Sequence, residues 1–214
     1  MSSPIQLAAF GDSITKGRKS ASWVNLLRHS LGPSASITNY GIDGDHMTNV
    51  RRRASSMQRS DCTHILILAG TNDTLWTHLN LWRRAVIRII KRLTRRPSHK
   101  TTRIELERLL QTLTRQYPRH IAVCTIPPLG NSATTADLTA TNRTIIEVAA
   151  SVGVTVLPVY ERLTLLAELP SAPRIMLHDG IHLSQAGATE LALTIEDWIR
   201  ETKYHMGGTS TPSQ

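Results

Sequence analysis

With 214 residues, 40% of them hydrophobic, the chain can build one core that buries about 70% of its unfolded surface, and too little remains for a second. No apolar run approaches the ~18 residues of a membrane span, and the opening MSSPIQLAAFGD holds neither a basic stretch nor a long apolar one. The expectation is a cytoplasmic domain over residues 1–205 with a flexible tail over 206–214, secreted only if a leader preceded it. The net charge of +9 is concentrated, since twelve Lys/Arg stand between Leu81 and His120 against Glu105 and Glu107.

Taken in order, strand-length apolar runs fall at 5–10 (IQLAAF), 36–40 (SITNY), 64–70 (HILILAG), 120–126 (HIAVCTI) and 154–159 (VTVLPV). Segments of helical period lie between and after them, at 22–31, 48–57, 79–95, 102–116 and 138–151, and a last helix starts at the N-cap Ser184 and runs to about 203. Parallel strands need helical crossovers, and those are right-handed, so this alternation implies a three-layer α/β/α sandwich. The expected sheet is flavodoxin-like, five parallel strands in the order 2-1-3-4-5. Cys62 opens the third strand and Cys124 closes the fourth, an offset of roughly 15 Å that no disulfide spans, so both read as free thiols.

Sites in such sheets form where the chain leaves the carboxyl ends of the strands. The exit turns are GDSITKG, NYGIDGDHMTN, GTNDTLW and, before the last helix, HDGIHLSQAG. Alone, Ser13 reads as a cap or turn residue. The turn fails the Walker pattern, because Lys16 stands where that motif needs glycine, while a hydroxyl-rich flavin-phosphate loop stays open locally. Asp179 and His182 are three apart, so a tight turn can bring the carboxylate to the imidazole as the base and orienter of a nucleophilic triad. Taken separately they are a turn cap and a surface histidine. Asn72 can aim its amide into the same crevice, either as a turn tie or as an oxyanion donor. Gly41 or Gly44 can turn an N–H the same way, and distance from the strand favours Gly44. The histidines show no H-E-x-x-H spacing and no Cys/His cluster, so neither metal nor cofactor is expected.

The ordered set of Gly11-Asp12-Ser13, a glycine in NYGIDGD, Asn72 in GTND and Asp179-x-x-His182 resembles the four blocks of the SGNH (GDSL-type) serine hydrolases, across residues 11–182. That resemblance implies an esterase with Ser13 as nucleophile, His182 as general base and Asp179 orienting it. The Ser13 and Gly44 N–H groups and the Asn72 side chain would form the oxyanion hole. The sequence has Ile14 where the family often has leucine.

Specificity is expected from the stretch after Asn72, with Trp76 and Leu79 walling an acyl pocket and Trp82 opening the core face of the next helix. That helix gathers Trp82, Val86, Ile89 and Leu93 on one side. The preferred reading packs this side on the sheet and leaves the arginines solvated. The other readings put the basic segment 81–120 against an anionic membrane surface or an anionic substrate. Nucleic acid ranks low, with aromatics at 4% and no binding motif. The substrate reads as a short-chain acyl ester, a lysophospholipid or a thioester. An O-acetylesterase or O-acyltransferase on the same triad is the alternative, and a noncatalytic flavodoxin-like module a remote one.

Overall fold

The computed structural model describes residues 4–57, 62–117 and 120–207. Five strands, β1 (Ile5–Gly11), β2 (Ala35–Gly41), β3 (His64–Leu68), β4 (His120–Cys124) and β5 (Thr155–Leu157), form one sheet in the order β2-β1-β3-β4-β5, every pair parallel. In chain order the α-helices are α1 (Ser13–Lys16), α2 (Trp23–Leu31), α3 (Met47–Ser55), α4 (Thr71–Leu75), α5 (Leu81–Ile90), α6 (His99–Gln116), α7 (Thr135–Val152), α8 (Val159–Glu168) and α9 (Gln185–Gly207). The expected fold class and strand order are those observed.

Side chains alternate along a strand, and here both sets are apolar because both faces are covered. Ile5, Leu7 and Ala9 join Leu66, Leu68 and Cys124 in a core closed by Trp23 and Leu27 of α2, Leu163 of α8, and Leu191, Ile195 and Trp198 of α9. Ala8 and Phe10 join Ile65, Ile67 and Val123 in a second core, closed by Val50 of α3, Leu106 and Leu109 of α6, and Ile145 and Val148 of α7. Cys62 and Cys124 are buried free thiols.

The differences from expectation are local. Helix α8 was not anticipated, because Pro158 in VTVLPV reads as strand, whereas it ends the strand and stands as the N-cap of α8. Helix α6 begins at His99 behind the cap Ser98, whose Oγ accepts the Thr101 N–H at 3.2 Å. Of the tail expected over 206–214, residues 206 and 207 end α9 and the rest lies outside the described residues. Among the described residues no helix is long and apolar enough to cross a membrane.

The largest correction is α5. It stops at Ile90 in a Schellman turn, with Leu93 N–H on the Arg88 carbonyl at 2.9 Å, Arg92 N–H on the Ile89 carbonyl at 3.1 Å and Arg92 at φ 49°. Leu93 is buried, but no residue of α5 is, and Trp82 is 75% exposed. The face expected on the sheet therefore points to solvent. The inward face is held by polar contacts instead, Arg84 Nη2 to the Thr77 carbonyl at 2.5 Å and Lys91 Nζ to Asp45 Oδ1 at 2.9 Å.

The ends of β1 and β2 are closely packed. A Cβ on Gly41 would lie 2.3 Å from the Lys16 nitrogen and 2.7 Å from the Thr15 carbonyl carbon, both backbone atoms of α1. Gly41→Ala must push α1 off the sheet, and overpacking of this kind costs ~1–3 kcal/mol. A denaturant melt should show that loss, and an unchanged midpoint would contradict the close approach.

Candidate active site

Strand β1 runs straight into the first functional turn. Asp12 caps α1, its Oδ1 accepting the Ile14 N–H at 3.0 Å, and Ser13 follows as the first helical residue, 8% exposed. The chain can turn this tightly because Gly11 has no side chain, since a Cβ there would lie 2.1 Å from Thr15 Oγ1 and 2.5 Å from the Leu68 carbonyl oxygen.

The second component comes from the far end of the chain. Leu177 N–H bonds the His182 carbonyl at 2.7 Å and Ser184 N–H the Ile175 carbonyl at 3.0 Å, which closes residues 175–184 into a small hairpin turning at Gly180, φ 64°. Its tip rests on the segment after β4, where Gly130 N–H bonds the Gly180 carbonyl at 2.8 Å. Within the turn, Asp179 Oδ1 accepts the N–H groups of Ile181 at 2.9 Å and His182 at 3.0 Å, while Oδ2 lies 2.6 Å from His182 Nδ1. His182 Nε2 reaches Ser13 Oγ at 3.0 Å across 169 residues of sequence. Burial works against ionising Asp179, but the two backbone N–H groups and the imidazole outweigh it and bring its pKa down to about 2. The carboxylate is therefore charged whenever the imidazole needs orienting.

Gly44 and Asn72 arrive from the β2 and β3 exits. The Gly41 N–H is taken by Asn39 Oδ1 at 2.8 Å, whereas Gly44, at φ 70°, has an N–H with no partner among the described residues. The Ser13 N–H is likewise unpaired among the described residues. Asn72 Nδ2 lies 3.0 Å from the Asp45 carbonyl and 3.4 Å from Asp12 Oδ2, next to Gly44 on one side and Ser13 on the other. Asn72 thus bridges the two turns that present the free N–H groups.

Sequence reasoning left Asp12 without a role and passed over Asp45 and Asp73. Asp12 is 1%, Asp45 3% and Asp73 4% exposed. Asp45 pairs with Arg53 and Lys91, and Asp73 Oδ2 accepts the Met47 N–H at 2.9 Å. For Asp12, burial raises the carboxyl to about 7, with the charges of Asp73 and Asp45 adding to the rise and the Ile14 N–H opposing it. Its signal in the sequence was the N-cap position alone. Trp76, expected as a pocket wall, is 4% exposed and packs edge-on against His46 at 5.6 Å between ring centroids, so it offers almost no surface to a ligand. Leu79 is half-buried beyond it. Among the described residues no group of three or more His, Cys, Asp or Glu is placed to hold a metal ion.

Residues 9–189 match the model of the GDSL-like lipase/acylhydrolase family. Among solved structures, a lipase/acylhydrolase from Enterococcus faecalis aligns over 98% of this chain and 99% of its own, with 21% identity and a TM-score of 0.69. An acetylxylan esterase from Geobacillus stearothermophilus aligns over 92% and 94%, with 20% identity and a TM-score of 0.71. A member of the lipolytic G-D-S-L family from Veillonella parvula aligns over 90% and 97%, with 17% identity and a TM-score of 0.69. No curated protein matches the chain significantly.

The Asp12 environment predicts a pH-dependent stability. Folded Asp12 keeps its proton to about pH 7, while the unfolded carboxyl releases it near 3.8. The folded state therefore holds one more proton across that window, and stability falls as pH rises through it, then levels. Asp12→Asn lacks this titration while its amide oxygen can still cap Ile14. Relative to wild type, its stability in urea melts should improve between about pH 4 and pH 7, by ~4 kcal/mol at most. Parallel pH profiles for the two proteins would rule this out.

Proposed function

The chain belongs to the GDSL-like lipase/acylhydrolase family, and from that premise we propose that it hydrolyses carboxylic esters through an acyl-serine intermediate on Ser13. The observation that carries the reading is the unbroken relay from Asp179 Oδ2 through both ring nitrogens of His182 to Ser13 Oγ, at 2.6 and 3.0 Å. Both contacts fall within the reach required of a nucleophile, its base and the group that orients the base.

In this mechanism His182 Nε2 takes the Ser13 proton as Oγ attacks the ester carbonyl. Asp179 holds the Nδ1–H tautomer and stabilises the imidazolium that forms. The imidazolium returns the proton to the leaving alcohol, and water attacks the acyl-serine with His182 again as base. The tetrahedral oxyanion draws on the Ser13 and Gly44 N–H groups and on Asn72 Nδ2. Asn72 can join them at small cost, because its 3.4 Å contact to Asp12 is a weak hydrogen bond that a developing oxyanion outcompetes. The same residues would transfer the acyl group to an alcohol or sugar wherever such an acceptor displaces water.

With Trp76 turned inward, the acyl side of the crevice lacks the aromatic wall expected of it. We favour short acyl groups on that ground, including the acetyl esters of sugars. A chain-length series of nitrophenyl esters, run beside acetylated sugars, should show highest turnover at short chains. Ser13→Ala should lower kcat by at least ~10⁴-fold, and the nucleophile is misassigned if most activity survives. Asn72→Ala should lower kcat by ~10²–10³ with little change in KM. An effect confined to KM would make Asn72 a structural tie.

A further inference from the structure

We infer that α5 is an interfacial helix that docks the protein on an anionic lipid surface. Four of its ten residues are large apolar side chains standing in solvent, with Leu81 80%, Trp82 75%, Ile89 77% and Ile90 69% exposed. At ~100° per residue they span about 180° of the helix, from the Leu81 edge through Ala85, Ile89, Trp82 and Val86 to Ile90. Arg88 lies just outside one edge and Arg83 outside the other, both exposed. This is a lipid-facing pattern, an apolar stripe flanked by cations at the level of the headgroups.

Neither core uses this stripe, because α5 is held from its opposite side. Arg84 and Lys91 point inward and their charges are taken up by the Thr77 and Asp43 carbonyls and the Asp45 carboxylate. The outward arginines are left unused. Arg83, Arg88, Arg92, Arg95 and Arg96 are exposed and form no ion pair among the described residues. Such a field adds attraction to an anionic surface for each cation that reaches it.

Charge also decides between occupants. A second copy meeting this face about a two-fold axis would set Arg83 and Arg88 near their own images, on chains each carrying +9. A bilayer of anionic lipids brings opposite charge and an apolar phase together. Arg84 in its first half ties the helix to Thr77, in the turn that follows α4 and its Asn72, and Lys91 at its C-cap ties it to Asp43, next to Gly44. A docked surface would therefore meet the protein at the rim of the crevice, but docking itself does not depend on the esterase reading.

Tryptophan fluorescence gives a direct test, because Trp23, Trp76 and Trp198 are 0%, 4% and 3% exposed and Trp82 alone faces solvent. The full chain is mixed with vesicles of phosphatidylcholine and phosphatidylglycerol, or of phosphatidylcholine alone, and followed by emission and co-sedimentation. Anionic vesicles should shift the Trp82 emission to the blue and bind at least ~10-fold more tightly than neutral ones. Ile89→Ser with Ile90→Ser should cut that binding at least ~10-fold, and Arg83→Glu with Arg88→Glu should remove the preference for anionic lipid. All four positions are exposed, so thermal melts should match wild type. Ser13→Ala should bind like wild type, since no turnover is involved. Absent binding, equal binding to both vesicles, or binding indifferent to either double variant overturns the inference. So does a dimer that Ile89→Ser with Ile90→Ser dissociates in the absence of any vesicle binding.

Discussion

The site depends on how close the backbone of α1 comes to the ends of two neighbouring strands. In the parallel register Gly11 pairs with both Gly41 and Leu68, so β1, β2 and β3 end at one level. Gly11 lets the Leu68 carbonyl and the Thr15 side chain approach, and Gly41 does the same for the Lys16 nitrogen. Asn39 fixes the fit from the side, donating to the Thr15 carbonyl at 2.7 Å and accepting from the Gly41 N–H. Any residue larger than glycine at either strand end would lift α1, and with it Ser13. The 3.0 Å contact to His182 would then be lost before any chemistry was attempted.

A second constraint is electrostatic. Three buried carboxyl groups, Asp12, Asp45 and Asp73, gather beneath the turns, and two cations of the basic surplus are set on one of them, Asp45. Arg53 donates to Asp45 and also to the Gly11 carbonyl at 3.1 Å, while Lys91 bridges Asp43 and Asp45. These cations brace the turn that carries Gly44, so the basic composition is partly structural. Asp12 has no cation of its own among the described residues, and burial dominates it, so its carboxyl is pushed up to about 7. Arg83 and Arg88 of α5, with Arg92, Arg95 and Arg96 just after it, take no part in this bracing.

Most of the architecture was legible because β3 and the start of β4 read as continuous apolar runs, as parallel strands covered on both faces do, and because five strand-length segments alternate with helical ones. The candidate site was legible for a different reason. Its residues sit in polar turns at strand exits, where Asp179 and His182 at i and i+3 leave few geometric options. What escaped was direction. The period of 79–95 shows which side chains share a face but not which face turns inward, and a rule that apolar faces pack fails when Arg84 and Lys91 find carbonyls and a carboxylate inside. Trp76 escaped in the same way, since its partner His46 lies 30 residues earlier in the sequence.

The proposed catalytic side chains also share a mode of support that tolerates a short, irregular turn at each. His182 lies two residues before Ser184, whose Oγ bonds the Arg174 carbonyl at 2.5 Å and meets the Gly187 N–H at 3.3 Å at the start of α9. Helix α9 is anchored by Leu191, Ile195 and Trp198 in the first core, so the histidine hangs from the longest helix described by a two-residue tether. Ser13 hangs from β1 by a similar tether. The two anchors meet in one core, where Ala9 of β1 and Leu183 beside the histidine are both wholly buried. Close packing makes that core resist relative displacement. A relay closed over 169 residues of sequence is thus held by packing below it, and the turns above need only be short.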